Sequence, residues 1–171
     1  FGVFPDISIE TDRPPLFMLS LAGLYGIFGA SEVVGLILNN VLLFCGLIFA
    51  YLIARSIGGV FAFAAPVALM ADQIYLMEAN RNQTDMMFFF LVTLFVLLAL
   101  RFFAEPPNLR FAIACAVVGV LATFTRPAGL YLWLPFLLTA VVVYRTHLIK
   151  RSVFLPIVSF VALFLVATGL W

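Results

Sequence analysis

The chain is 171 residues long, 65% hydrophobic and only 10% charged, with a mean hydropathy of +1.22. A soluble domain carries about 25% charged residues, so this composition excludes one and implies an integral membrane protein. The net charge of +1 comes with no basic stripe, which excludes a nucleic-acid surface.

In chain order, Asp12-Arg13-Pro14-Pro15 sets an acid and a base side by side ahead of the first apolar stretch. Two readings stand. In one the arginine is an interfacial anchor among lipid headgroups, partly neutralised by the aspartate. In the other the prolines present a rigid guanidinium that binds phosphate through paired hydrogen bonds. The apolar stretch that follows, about 15–30, carries Gly23, Gly26 and Gly29 and closes at Ser31-Glu32. Proline in the first turn suits a helix start. About 15 residues is short for a crossing, which takes about 20. The expectation is a helix lying in or dipping into the outer interface, with both ends on one side.

Six further stretches are apolar enough to cross or nearly so: about 33–54, 57–77, 84–104, 111–125, 128–144 and 152–171. The fourth and fifth are short and are joined by Arg126-Pro127-Ala128-Gly129, which fits a tight turn between antiparallel helices. No period-2 alternation of the barrel kind occurs. The expected fold is an all-α, multi-spanning helix bundle with six spans and one outer interfacial helix. Residues 1–14 then read as the end of an outer loop, and 1–171 as part of a single membrane domain. The start at Phe1 and the open apolar end at Trp171 read as an internal piece of a larger membrane protein.

Several features within the spans read as packing. Gly46, Ala50 and Ala54, like Cys115, Gly119 and Thr123, recur every four residues, a spacing that lets helix backbones approach closely. Cys45 and Cys115 lie one per apolar run and read as small buried hydrophobes. Pro66 is expected to kink the second span. Phe88, Phe89 and Phe90 read as lipid-facing bulk, and Asn39 and Asn40 as interhelical hydrogen-bonding groups.

The loops sort by charge. One side holds Arg55, Arg101, Arg110, Arg145, Lys150 and Arg151, with Glu105 as its only acid. The other holds Asp6, Glu10, Asp12, Glu32, Asp72, Glu78 and Asp85 together with Arg13, Arg81 and Arg126. The positive-inside rule makes the first side cytoplasmic. Three arginines on the outer side therefore need a reason, and an anionic substrate would supply one. Arg126 lies at the mouth of two short spans, where a bound anion or an outer acid would offset its charge. Glu78 and Arg81 can pair as helical neighbours. Asp85 opens a span, where an acid gains from the helix dipole. Asn82-Gln83-Thr84 spells a glycosylation acceptor, read as accidental so near a membrane. His147 sits among cytoplasmic bases and reads as a headgroup-facing loop residue. No GxxxxGK[ST], HExxH, paired CxxC or GxSxG pattern occurs.

Four segments in this order carry a resemblance: 1–16 (FGVFPDISIETDRPPL), 25–32 (YGIFGASE), 79–90 (ANRNQTDMMFFF) and 121–130 (LATFTRPAGL). The chain resembles the multi-spanning GT-C glycosyltransferases that use polyprenyl-phosphate sugars, notably the protein O-mannosyltransferases and the lipid A aminoarabinose transferase. The resemblance implies a bundle of GT-C type in a bacterial or archaeal plasma membrane. It implies an inverting enzyme that moves a sugar from a polyprenyl-phosphate donor to a lipid or protein acceptor at the non-cytoplasmic face, with membrane lipids as its other partners. It puts Arg13 at the carrier phosphate, Asp12 beside it as the adjacent loop acid, and Arg81, Asp85 and Arg126 along the outer cavity. The candidate catalytic residues are then Asp12 and Asp85, and the candidate phosphate or substrate contacts Arg13, Arg81, Arg126 and Glu78. It names no certain cofactor and leaves room for a divalent metal. The chain departs from the family pattern in two respects. The family's expected general base falls in an outer-loop segment before Phe1, and an arginine found shortly after the second segment has no counterpart here, where Gly35 lies.

Two other classes compete. A transporter or flippase-like protein for an anionic lipid would carry ionisable residues at mid-membrane on broken helices, whereas the charges here sit at span ends. A non-catalytic membrane subunit would tolerate loss of Arg13 or Arg126.

Overall fold

A computed structural model describes residues 15–72, 77, 84–104, 108–144 and 151–169. Among these described residues every regular element is helical. The first helix, α1 (Pro15–Phe28), begins with proline at a position that needs no N–H donor. It ends at Gly29, whose φ of 85° only glycine adopts freely and whose N–H reaches the Tyr25 carbonyl at 3.0 Å. Its 14 residues extend about 21 Å at ~1.5 Å each, short of a hydrocarbon core of ~30 Å. Phe17 is buried against the bundle.

Ser31 then caps α2 (Glu32–Gly58), its hydroxyl oxygen accepting the Val33 N–H at 3.3 Å. After 27 residues the helix stops at Gly58-Gly59, where Gly59 takes a φ of 54°. A 3-10 turn, Gly59–Phe63, reverses the chain into α3 (Ala64–Ala71). The Phe63 ring lies 4.7 Å from that of Tyr51, and Leu69 packs on the cluster of Leu42, Leu43 and Leu47. α3 therefore runs back along α2. The second span was expected as one helix over 57–77, kinked at Pro66. The structure instead breaks the chain at Gly59, and Pro66 falls in the first turn of α3, where its missing N–H costs no helical hydrogen bond.

The remaining helices are α4 (Asp85–Ala104), α5 (Leu109–Thr125), α6 (Trp133–Tyr144) and α7 (Arg151–Thr168), with a 3-10 segment, Pro127–Leu132, leading into α6. α4 packs parallel to α2: Phe89 covers Gly46, Phe90 meets Phe49 at 5.5 Å, and Arg101 shares a cleft with Arg55. α5 returns antiparallel to α4. It is the central helix, burying Ala112, Cys115, Ala116, Gly119, Ala122 and Thr123. Rings of Phe95 and Phe164 close over Gly119, so the small-residue stripe is an interhelical seam, as its spacing suggested. Phe136 of α6 stacks on Phe160 of α7 at 4.1 Å and tilts against Phe102 at 5.4 Å. Successive helices from α4 to α7 thus alternate in direction.

Three stretches, Glu32–Gly58, Asp85–Ala104 and Pro127–Tyr144, are long and apolar enough to cross a membrane. Pro15–Phe28, Leu109–Thr125 and Val153–Val166 are shorter apolar helices. Phe44, Leu138, Val142 and Val166 stand exposed on the outer faces, as side chains in contact with hydrocarbon would.

Two further expectations are corrected. Phe88, Phe89 and Phe90 are only partly exposed. Phe89 fills the notch left by Gly46 and Phe90 faces Phe49, while Phe88 packs on the central cluster; these rings join helices rather than coat the lipid face. Asn40 was expected to bond another helix. It is exposed, and its Nδ2 donates to Leu36 O of its own helix at 2.8 Å. Asn39, one position earlier, is fully buried. Both cysteines are free thiols.

Candidate functional site

Helix direction settles which charges share an end of the bundle. Arg55, Arg101 and Arg110 lie at one end, near the finish of α2, the finish of α4 and the start of α5. Glu32, Asp85 and Arg126 lie at the other.

Arg126 is fixed by the chain on both sides of it. α5 ends at Thr125, whose buried hydroxyl donates to Leu121 O at 2.8 Å. Arg126 then turns extended (φ −152°, ψ 138°), with its N–H still bonded to Ala122 O at 2.8 Å. Pro127 starts the 3-10 segment, and the Gly129 N–H donates back to Arg126 O at 2.9 Å. That segment folds down onto the end of α5. A Cβ on Gly129 would come within 2.7 Å of Thr123 Cα, so no larger residue permits the approach.

So held, the Arg126 side chain reaches the first turn of α4, where its Nη1 lies 2.6 Å from Asp85 Oδ1. Asp85 is positioned by its place at the helix start, beside the N-terminal end of the dipole. Its Oδ1 is buried, so a cation against it is needed, and Arg126 provides one. The Arg126 side chain remains 49% exposed, which leaves guanidinium surface open to an anion. Four residues along, Leu130 begins an apolar groove of about 390 Å³ between α6 and α7, lined also by Trp133, Leu137, Phe160 and Phe164.

Of the residues singled out from the sequence, the structure therefore brings Asp85 and Arg126 together. Asp12, Arg13, Glu78 and Arg81 lie outside the described residues. Among the described residues no three His, Cys, Asp or Glu side chains converge as a metal site would require. The sequence left open whether a bound anion or an outer acid would offset Arg126. Asp85 is the acid that meets it, because the start of one span and the end of the next come together when the two are antiparallel.

A sequence model of the dolichyl-phosphate-mannose-protein mannosyltransferase family matches residues 12–171. No curated protein and no solved structure matches the chain.

Proposed function

Because the chain belongs to the dolichyl-phosphate-mannose-protein mannosyltransferase family, we propose that it moves a sugar from a polyprenyl-phosphate donor to a lipid or protein acceptor at the outer face of the membrane. One observation carries the placement of the site: the Asp85–Arg126 pair lies at the end of the bundle opposite Arg55, Arg101 and Arg110. An end that gathers Arg55, Arg101 and Arg110 reads as cytoplasmic, so the pair belongs to the outer rim. The alternating helix directions support six spans, with α1 at the outer interface and residues 1–14 closing an outer loop.

In this reading the acceptor hydroxyl attacks the anomeric carbon from the side away from the phosphate, and the carbon–phosphate oxygen bond breaks with inversion. The electron pair leaves on the phosphate. Guanidinium groups of Arg126, Arg13 and Arg81 neutralise the charge that builds there, and fixed charges aimed at a departing anion are the largest contribution such a site makes. Asp85 holds Arg126 in place, and Glu78 and Arg81 are further candidates for substrate contact. Asp12 is a further candidate catalytic carboxylate on the same outer loop as Arg13. The groove starting at Leu130 offers apolar wall for the isoprenoid tail.

The test is transfer from a polyprenyl-phosphate sugar by the intact protein in liposomes. Arg126→Ala and Arg13→Ala are each expected to lower the rate about 10²-fold, the scale for losing one preorganised charge donor, while Arg145→Ala leaves it unchanged. Equal losses in all three would point to misfolding or inverted topology and overturn the assignment.

A further inference from the structure

A second charged cleft lies at the opposite end of the bundle. Arg55 stands in the last turn of α2 and Arg101 in the last turn of α4. Because those helices are parallel, both side chains line one cavity of about 530 Å³. Leu52, Leu97 and Leu100 form its apolar walls, and Ser56 its polar edge. The Ser56 hydroxyl donates to Ile53 O at 2.7 Å, which leaves its oxygen lone pairs free to accept. Among the described residues neither arginine has an ion-pair partner.

Each arginine suits the negative end of its own helix dipole. That accounts for one charge per helix but not for an open cleft between two like charges. Two guanidinium groups converging on a volume within the ordinary range of ligand sites, roughly 300–1,000 Å³, repel each other unless an anion sits between them. The apolar walls select the kind of anion. A free phosphate gains nothing from leucine side chains, whereas a lipid puts its phosphate between the arginines and its acyl chains along Leu52, Leu97 and Leu100. We propose that Arg55 and Arg101 form a binding site for the phosphate of an anionic phospholipid at the cytoplasmic interface, clamping α2 to α4. The site does not depend on the sugar-transfer reading.

The experiment measures lipid binding to the intact protein in neutral detergent, by native mass spectrometry and by thermal stability, with phosphatidylglycerol, phosphatidylcholine or inorganic phosphate added. Phosphatidylglycerol is expected to bind and to raise the melting temperature; the other two are not. A basic residue near an anionic lipid contributes about fivefold in affinity, so Arg55→Gln and Arg101→Gln should each weaken binding about fivefold and the pair about 25-fold. Arg110→Gln, at the same end but outside the cleft, should bind as wild type. Should the double Gln variant fail to fold, Arg55→Lys/Arg101→Lys keeps the charge while losing the planar fork, and is expected to bind more weakly than wild type but well above background. The proposal is overturned by equal stabilisation from inorganic phosphate, by undiminished lipid binding in the arginine variants, or by an equal loss in Arg110→Gln.

Discussion

Arg126 Nη1 lies 2.6 Å from Asp85 Oδ1, so the end of α5 and the start of α4 are tied by an ion pair. The Asp85 Oδ1 atom is covered, but neither side chain as a whole is deeply buried, with exposures of 49% and 24%. Exposed pairs are worth about 0–1 kcal/mol, too little to explain the pair as a device for stability. Its consequence is positional, because it orients a guanidinium that stays open to solvent. If Asp85 acts only by holding Arg126, the double variant Asp85→Asn/Arg126→Ala should be no slower than Arg126→Ala alone. Independent roles would multiply the two losses. A double-mutant cycle on kcat/KM, with melting temperatures alongside, separates the cases; each single variant should lose at most about 1 kcal/mol of stability.

Gly129 gives the site its backbone geometry. The atoms a Cβ would strike belong to the Thr123 and Ala122 main chain, which cannot rotate away as a side chain could. Gly129→Ala should therefore destabilise by about 1–3 kcal/mol, the usual cost of forcing extra volume into a packed region, and should reduce transfer by displacing Arg126. Gly26→Ala is the contrast. No atom lies within 4 Å of its Cβ position, and alanine gains up to about 1 kcal/mol over glycine inside a helix. Thermal unfolding in detergent should rank Gly26→Ala at or above wild type and Gly129→Ala well below it.

Much of this architecture was legible in the sequence for definite reasons. Proline in the first turn marked the start of α1, Ser31-Glu32 marked the gap between α1 and α2, and Cys115, Gly119 and Thr123 marked the seam of α5. Charge at span ends put Asp85 and Arg126 at one rim. What escaped follows from the same physics. In a membrane, hydrophobicity no longer separates inside from outside, so Phe89 facing Gly46 and a phenylalanine facing lipid look alike in sequence. The break after α2 was signalled by Gly58-Gly59, but Pro66 drew attention because proline is the commoner source of a kink. Asn40 could satisfy its amide within its own helix, an option that spacing alone did not reveal.

The Gly46–Phe89 contact is testable as a pair. A Cβ on Gly46 would sit 2.6 Å from Phe89 Cδ1, so Gly46→Ala must push the ring aside or spread α2 from α4. The expected cost is about 1–3 kcal/mol. Removing the ring should relieve that clash, so adding Phe89→Ala to Gly46→Ala should cost less than the sum of the two single changes. Additive losses would show that α2 and α4 do not meet at this point.

At the basic end, Tyr144 does for α4 what a cap does elsewhere. The last four carbonyls of a helix have no partner within it, and Phe102 is among those of α4, which ends at Ala104. The Tyr144 hydroxyl donates to Phe102 O at 3.2 Å, in a buried contact between residues 42 positions apart. Burial matters here, because a carbonyl shielded from water gains no substitute when its donor is removed. Tyr144→Phe keeps the ring that packs against Phe102 and Phe103 and deletes only the donor. The expected loss is about 1 kcal/mol. Tyr131, 73% exposed, supplies the control, and its change to Phe should leave stability unchanged. Because the bond ties α6 to α4 far from Asp85 and Arg126, Tyr144→Phe should lower the unfolding midpoint without changing the rate of sugar transfer at temperatures below it. A matching fall in transfer rate would mean that the two ends of the bundle are mechanically linked.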